Sequence, residues 1–169
     1  MIHVCSLSKV EETVNKTGAE RLLSLLAAGT EVVRPASILP ENHLHLVMHD
    51  IAVAQDGMTM PGEEHVRALL DFAHGWNRAK PLVVHCYAGI SRSTASAYII
   101  ASALAPKRDE AELARTLRLL SPTATPNPRL IAVADMLLQR DGRMIAAIEA
   151  IGRGAEAFEG TPFALDIEG

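Results

Sequence analysis

Cys86 and Arg92 stand six residues apart in the run His85-Cys86-Tyr87-Ala88-Gly89-Ile90-Ser91-Arg92-Ser93. A cysteine thiolate is a strong nucleophile, and a guanidinium is a planar fork that matches two oxygens of a phosphate. Gly89 lets the backbone between them turn tightly. Ser93 is placed to donate a hydrogen bond to the sulfur and ease its departure from a covalent intermediate. Together these residue types suit nucleophilic attack on a bound oxyanion ester. The spacing alone proves little: with two cysteines and 12 arginines in 169 residues, it arises by chance in about one such chain in seven. Requiring the glycine and the hydroxyl residue as well lowers this to roughly one in a thousand.

The elements around the run give the spacing its meaning. Pro81-Leu82-Val83-Val84-His85 is short, apolar and β-branched, which predicts a strand buried on both faces. An apolar helix is predicted from Arg92 to Ala105, stopped by Pro106. A short loop leaving a buried strand and opening a helix aims successive N–H groups at one point and adds the helix's partial positive charge. Tyr87, Ala88, Gly89, Ile90 and Ser91 would then form an anion cradle with Arg92, and the same positive field favours the thiolate of Cys86.

Upstream, Leu44, Leu46 and Met48 alternate with His43, His45, Val47 and His49, predicting a strand that ends near Asp50. Glu63 to Trp76 has helical periodicity. The order strand, helix, strand, loop, helix implies a parallel sheet. The last third is predicted helical: Asp109 with Glu112 caps one helix, Asn127-Pro128 opens another that should end at Asp141-Gly142, and a third spans Arg143 to Gly152. In the first 40 residues, Ile2 to Leu7 suits a strand, Lys9 to Lys16 a short helix, and Arg21 to Ala28 either element. Beyond Gly154 no pattern is legible.

The loop resembles the signature of the cysteine-dependent protein tyrosine and dual-specificity phosphatases, His-Cys-x-x-Gly-x-x-Arg-Ser/Thr, and matches every fixed position. Ser121-Pro122-Thr123-Ala124-Thr125-Pro126-Asn127 resembles the Pro-Asn segment of that superfamily, whose asparagine supports the phosphate loop. The likeness is firm over about residues 43–140 and is greatest to small bacterial members. It implies one α/β domain over residues 1–169, with a short, mostly parallel sheet, flanking helices and a helical C-terminal third. It also implies hydrolysis of a phosphorylated protein or small phosphomonoester through a cysteinyl-phosphate on Cys86.

Such chemistry needs a carboxylic acid to protonate the leaving oxygen and later activate water. The family draws it from a mobile loop after the strand preceding the signature, where this chain offers Asp50 and Asp56. Asp50 is favoured by the His49-Asp50-Ile51 run at the strand end, whereas Asp56-Gly57 suits a plain turn. Two other functions fit a cysteine in an anion loop: rhodanese-like sulfur transfer, and phosphate recognition without turnover. Gly89, Arg92 and Ser93 together favour the phosphatase.

Composition adds boundaries. The net charge of -4 and the absence of a polybasic tract give nucleic acid or an anionic membrane little to bind. Two cysteines are too few for a disulfide framework, and with no apolar run long enough to span a bilayer the expected location is cytoplasmic. His43, His45 and His49 share a strand face, but no carboxylate or thiol has matching spacing except Asp50 on the opposite face, so no metal or cofactor is expected. His85 should tune the loop by hydrogen bonding. Cys5 could form a disulfide with Cys86 on oxidation. The loop carries no lysine, which makes a phosphoprotein a more natural substrate than a highly charged inositol phosphate.

Overall fold

The computed structural model describes residues 1–169. Its centre is β4 (Leu82–His85), whose side chains are all buried as the continuous apolar run requires. β1 (Ile2–Cys5) pairs in parallel on one side of it and β2 (Arg21–Leu26) on the other. β3 (His43–Val47) extends the sheet in parallel beyond β2, and β5 (Phe163–Leu165) runs antiparallel along β1. The strand order is therefore β3-β2-β4-β1-β5. Because β4 is inserted between two earlier strands, the loop that leaves it opens in the middle of the sheet's carboxyl edge, where ligands of open α/β sheets bind.

Helices cover both faces. α1 (Val10–Thr17) lies over one, where Val10 and Val14 pack with Leu22, Ile38 and Val83. The other face carries the larger core, built on Val4, Leu23, Leu25 and Val84 beneath α2 (Glu63–His74) and α3 (Arg92–Leu104). α3 is buried from Arg92 through Ser102, which its run of small and apolar residues permits on every side. Each large aliphatic side chain buried here contributes about 1.5–3 kcal/mol. Around α3 pack α4 (Glu110–Leu120) and α5 (Pro128–Leu137), and α6 (Arg143–Ile151) closes the layer against those two.

Most predicted elements are present. Asp109 caps α4 by accepting from Glu112 N–H at 2.8 Å, and Asn127 caps α5 by accepting from Arg129 and Leu130 N–H, each at 3.0 Å. Arg21–Leu26, readable as either element, is a strand because both of its faces are covered. Two expectations change. The helix opened by Asn127 ends at Leu137 rather than at Asp141-Gly142. Gly142 instead begins α6, where the buried carboxylate of Asp135 accepts from Gly142 and Met144 N–H at 2.8 Å each. The unpatterned tail contains β5, whose pairing partner lies at the opposite end of the chain.

Candidate active site

The strand register sets the floor of the site. Cys5 and Ser24 both pair with His85, so the ends of β1 and β2 flank the last residue before Cys86. The next six residues then turn back into α3. Their shape is fixed by neighbours that hold the loop carbonyls outward. Cys86 O accepts from His85 Nδ1 (3.0 Å), Tyr87 O from Leu7 N–H (3.0 Å), and Ala88 O from Gly160 N–H (2.8 Å). Ile90 O accepts from Thr125 N–H (2.9 Å) and Ser91 O from Asn127 N–H (3.3 Å). In a planar trans peptide the N–H points away from its carbonyl. The N–H groups of Tyr87, Ala88, Gly89, Ser91 and Arg92 are thereby left to face the loop's interior. Gly89 N–H does so on Cys86 Sγ, at 3.3 Å.

Gly89 has φ +72°, and a Cβ there would lie 2.8 Å from the backbone of both Cys5 and Ser6. Only glycine allows the loop to sit this close to β1. Cys86 is 2% exposed, and its sulfur is 3.1 Å from Ser93 Oγ.

Arg92, 8% exposed, donates from Nη1 to Met48 O at 2.9 Å, tying the first residue of α3 to the end of β3. Its Nε is buried and has no protein acceptor. An unmatched buried donor costs about 1–3 kcal/mol, which an oxygen of a bound oxyanion would recover.

Two residues beyond Met48, Asp50 turns toward the loop. Its Oδ1 accepts from Ser91 Oγ at 2.7 Å and from Asn127 Nδ2 at 2.8 Å, while Oδ2 has no protein partner. Asn127 Nδ2 also reaches Ile51 O (3.2 Å), and Arg129 Nε donates to Pro61 O (3.1 Å). The start of α5 thus grips both ends of the segment between β3 and α2. Inside that segment, His49 N–H donates to Thr59 O and Thr59 N–H returns a bond to His49 Nδ1. Asp56 lies exposed in the turn beyond this clasp.

His85 is fully buried, and burial pushes its imidazole down to about 4. Its partners define the proton order. Cys86 O is only an acceptor, so His85 Nδ1 carries the hydrogen and Nε2 accepts. The Ser24 hydroxyl, 2.6 Å away, donates to that Nε2, and His43 Nε2 donates to Ser24 Oγ at 2.9 Å. Ser24 was not legible as a site residue, because nothing local marks a serine in a strand as a neighbour of His85. His43 and His45 stack at 6.2 Å on the strand face, and His49 is occupied by the loop clasp. Cys5 is free and buried; burial pushes its thiol up to about 12, which leaves it a poor partner for thiolate chemistry.

A cleft of about 690 Å³ opens beside the loop, between Asp50, Ile90 and Ser91 on one side and residues 153–158 on the other. That second wall was also unforeseen.

No protein-family model matches the chain, and no curated protein matches it in sequence. Solved structures do match its fold. DUSP15 superposes with a TM-score of 0.64 at 16% identity, covering 92% of this chain and 94% of that one. The PTP-2 phosphatase of Cydia pomonella gives 0.60 at 17% identity, covering 80% and 84%. Human DUSP28 gives 0.58 at 17% identity, covering 89% and 95%. The chain has the fold of the dual-specificity and protein tyrosine phosphatases.

Proposed function

We propose that this protein hydrolyses phosphate monoesters through a cysteinyl-phosphate on Cys86. The observation that carries the proposal is the loop itself. Its carbonyls are held outward by four separate segments, which turns its N–H groups inward, and one of them, Gly89 N–H, reaches the sulfur of the buried Cys86. Such a ring of donors suits the three equatorial oxygens of a phosphoryl group in transfer.

In the first step the Cys86 thiolate attacks phosphorus, the S–P bond forms and the P–O bond to the leaving group breaks. Asp50 is the proposed general acid, delivering a proton to the departing oxygen. This role is supported by the restraint of Oδ1 by Ser91 and Asn127, which leaves Oδ2 for the substrate. In the second step the Asp50 carboxylate takes a proton from water, whose oxygen attacks phosphorus as the S–P bond breaks. The Ser93 hydroxyl, 3.1 Å from the sulfur, stabilises the departing thiolate. Arg92 holds two phosphate oxygens through both steps. Asn127 orients Asp50, and His85 holds the first peptide of the loop.

The test is steady-state hydrolysis of an aryl phosphate by the unmodified chain and by Cys86→Ser. Turnover that vanishes with the thiol supports the proposal. Turnover that persists in Cys86→Ser would refute it. Thiocyanate formation from thiosulfate and cyanide, with no phosphate release, would move the chain to sulfur transfer.

A further inference from the structure

The segment between α6 and β5 is fastened to the phosphate loop and its supports near both of its ends. Gly154 N–H donates to Thr125 Oγ1 at 3.1 Å, and a Cβ on Gly154 would lie 2.6 Å from the Thr123 carbonyl. Ala155 N–H donates to Pro122 O at 2.9 Å. Glu159 Oε2 accepts from Ser6 Oγ at 2.9 Å and Ser8 Oγ at 2.6 Å, and these two hydroxyls hold its carboxyl below the usual range. Gly160 N–H donates to Ala88 O at 2.8 Å, and a Cβ on Gly160 would stand 2.8 Å from Gly89 O. β5 then anchors the chain on β1. The backbone across the mouth of the site is fixed from both ends.

On this restrained segment Phe158 is 87% exposed. A single exposed aromatic is ordinary on a protein surface, but the position of this one is not arbitrary. Phe158 lines both the cleft that holds Asp50 and a hollow of about 200 Å³ lined by Tyr87 and Ala88. It therefore stands directly beside the phosphate loop. A phosphate seated in the loop must direct its ester group past Asp50, because the acid has to reach the ester oxygen. The opposite wall then meets that group, and it presents Phe158 with Ala155 and Ala157. Arg153 pairs with Glu156 at 3.6 Å, and that opposite charge makes the wall a poor site for a second anion. Phe158, Ala155 and Ala157 give this wall an apolar patch that suits a flat ring.

We propose that residues 153–160 form the ester-group wall of the catalytic cleft, and that Phe158 is a specificity-determining residue that packs against the ring of an aryl phosphate such as a phosphotyrosyl side chain. The proposal rests on the phosphatase reading for the seat of the phosphate.

Cys86→Ser protein is titrated by calorimetry with a phosphotyrosine peptide and a phosphoserine peptide of the same flanking sequence, with and without Phe158→Ala. The expected result is tighter binding of the phosphotyrosine peptide. Phe158→Ala should weaken that binding about five-fold, leave phosphoserine binding within two-fold, and be rescued by Phe158→Tyr. Thermal unfolding of the same variants checks that the wall is intact. Equal losses for both peptides, no loss for either, or no binding of either peptide overturns the proposal. Hydrolysis by the chain with Cys86 intact is measured in parallel. Selective, Phe158-dependent binding without any hydrolysis would support the wall while removing the phosphatase reading.

Discussion

Asn127 Nδ2 donates a hydrogen bond to Asp50 Oδ1 at 2.8 Å, joining residues 77 positions apart in the chain. Asn127 Oδ1 meanwhile caps α5, and its backbone N–H holds Ser91 O. One side chain thus couples a helix start, the proposed phosphate loop and a proposed general acid.

This coupling separates two candidate acids. Asp50→Asn should lose most turnover on an alkyl phosphate, about 100-fold, because general acid catalysis contributes on the order of 10²–10⁴. The loss should be far smaller on an aryl phosphate whose leaving group needs no proton. Asp56→Asn should change neither by more than about two-fold, since its side chain lies beyond the clasp of His49 and Thr59. A leaving-group series on both variants decides the matter, and equal mild effects would remove Asp50 from the mechanism.

Ser93→Ala should leave formation of the intermediate nearly unchanged and slow its breakdown about ten-fold, the value of one hydrogen bond of ~1.4 kcal/mol. In rapid-mixing experiments this appears as a burst of released alcohol followed by a slow steady rate. A proportional loss in both phases would mean that Ser93 only packs beside Cys86.

Gly89→Ala forces a left-handed φ on a residue with a Cβ and drives that atom into the backbone of Cys5 and Ser6. The strain costs about 1–2 kcal/mol. Displacing the loop by a fraction of an ångström should lower kcat/KM about 100-fold. Urea unfolding and steady-state kinetics on the same preparation measure both effects.

His85 links the site to pH. Its imidazole is near 6.5 when unfolded and about 4 in the folded chain, because burial disfavours the cation. The unfolded chain therefore binds the extra proton first, and the stability held above pH 6.5 is lost as pH falls toward 4. The gap amounts to roughly 3 kcal/mol. Burial also lowers the imidazoles of His3 and His43, with the same sign, so the comparison is between variants. Urea unfolding at pH 7 and 4.5 should show a smaller drop for His85→Gln than for the unmodified chain. An identical drop would show that His85 is not held neutral by burial.

The central strand, the tight loop after it and α3 were legible in sequence because each follows from local pattern: a β-branched run, a glycine at a tight turn, a long apolar stretch ended by Pro106. Asn127 was visible for the same reason, as an N-cap before proline. What stayed hidden depends on distant partners. Ser24 is an ordinary strand residue until the parallel register sets it beside His85. β5 has only three residues, and its partner β1 lies some 160 positions earlier. Residues 153–160 carry no periodicity, since hydrogen bonds to Pro122, Thr125, Ala88, Ser6 and Ser8 hold them rather than an apolar face. The end of α5 at Leu137 has no local signal, because Asp135, a residue within that helix, caps the next one.

The most direct measurement is chemical: rapid acid quench of the unmodified chain during turnover of an aryl phosphate, followed by peptide mass spectrometry. A phosphoryl group on the peptide containing Cys86, formed and lost at rates compatible with turnover and absent in Cys86→Ala, is the expected result. Turnover with no phosphorylated peptide, or with the phosphoryl group on any other residue, would contradict the account.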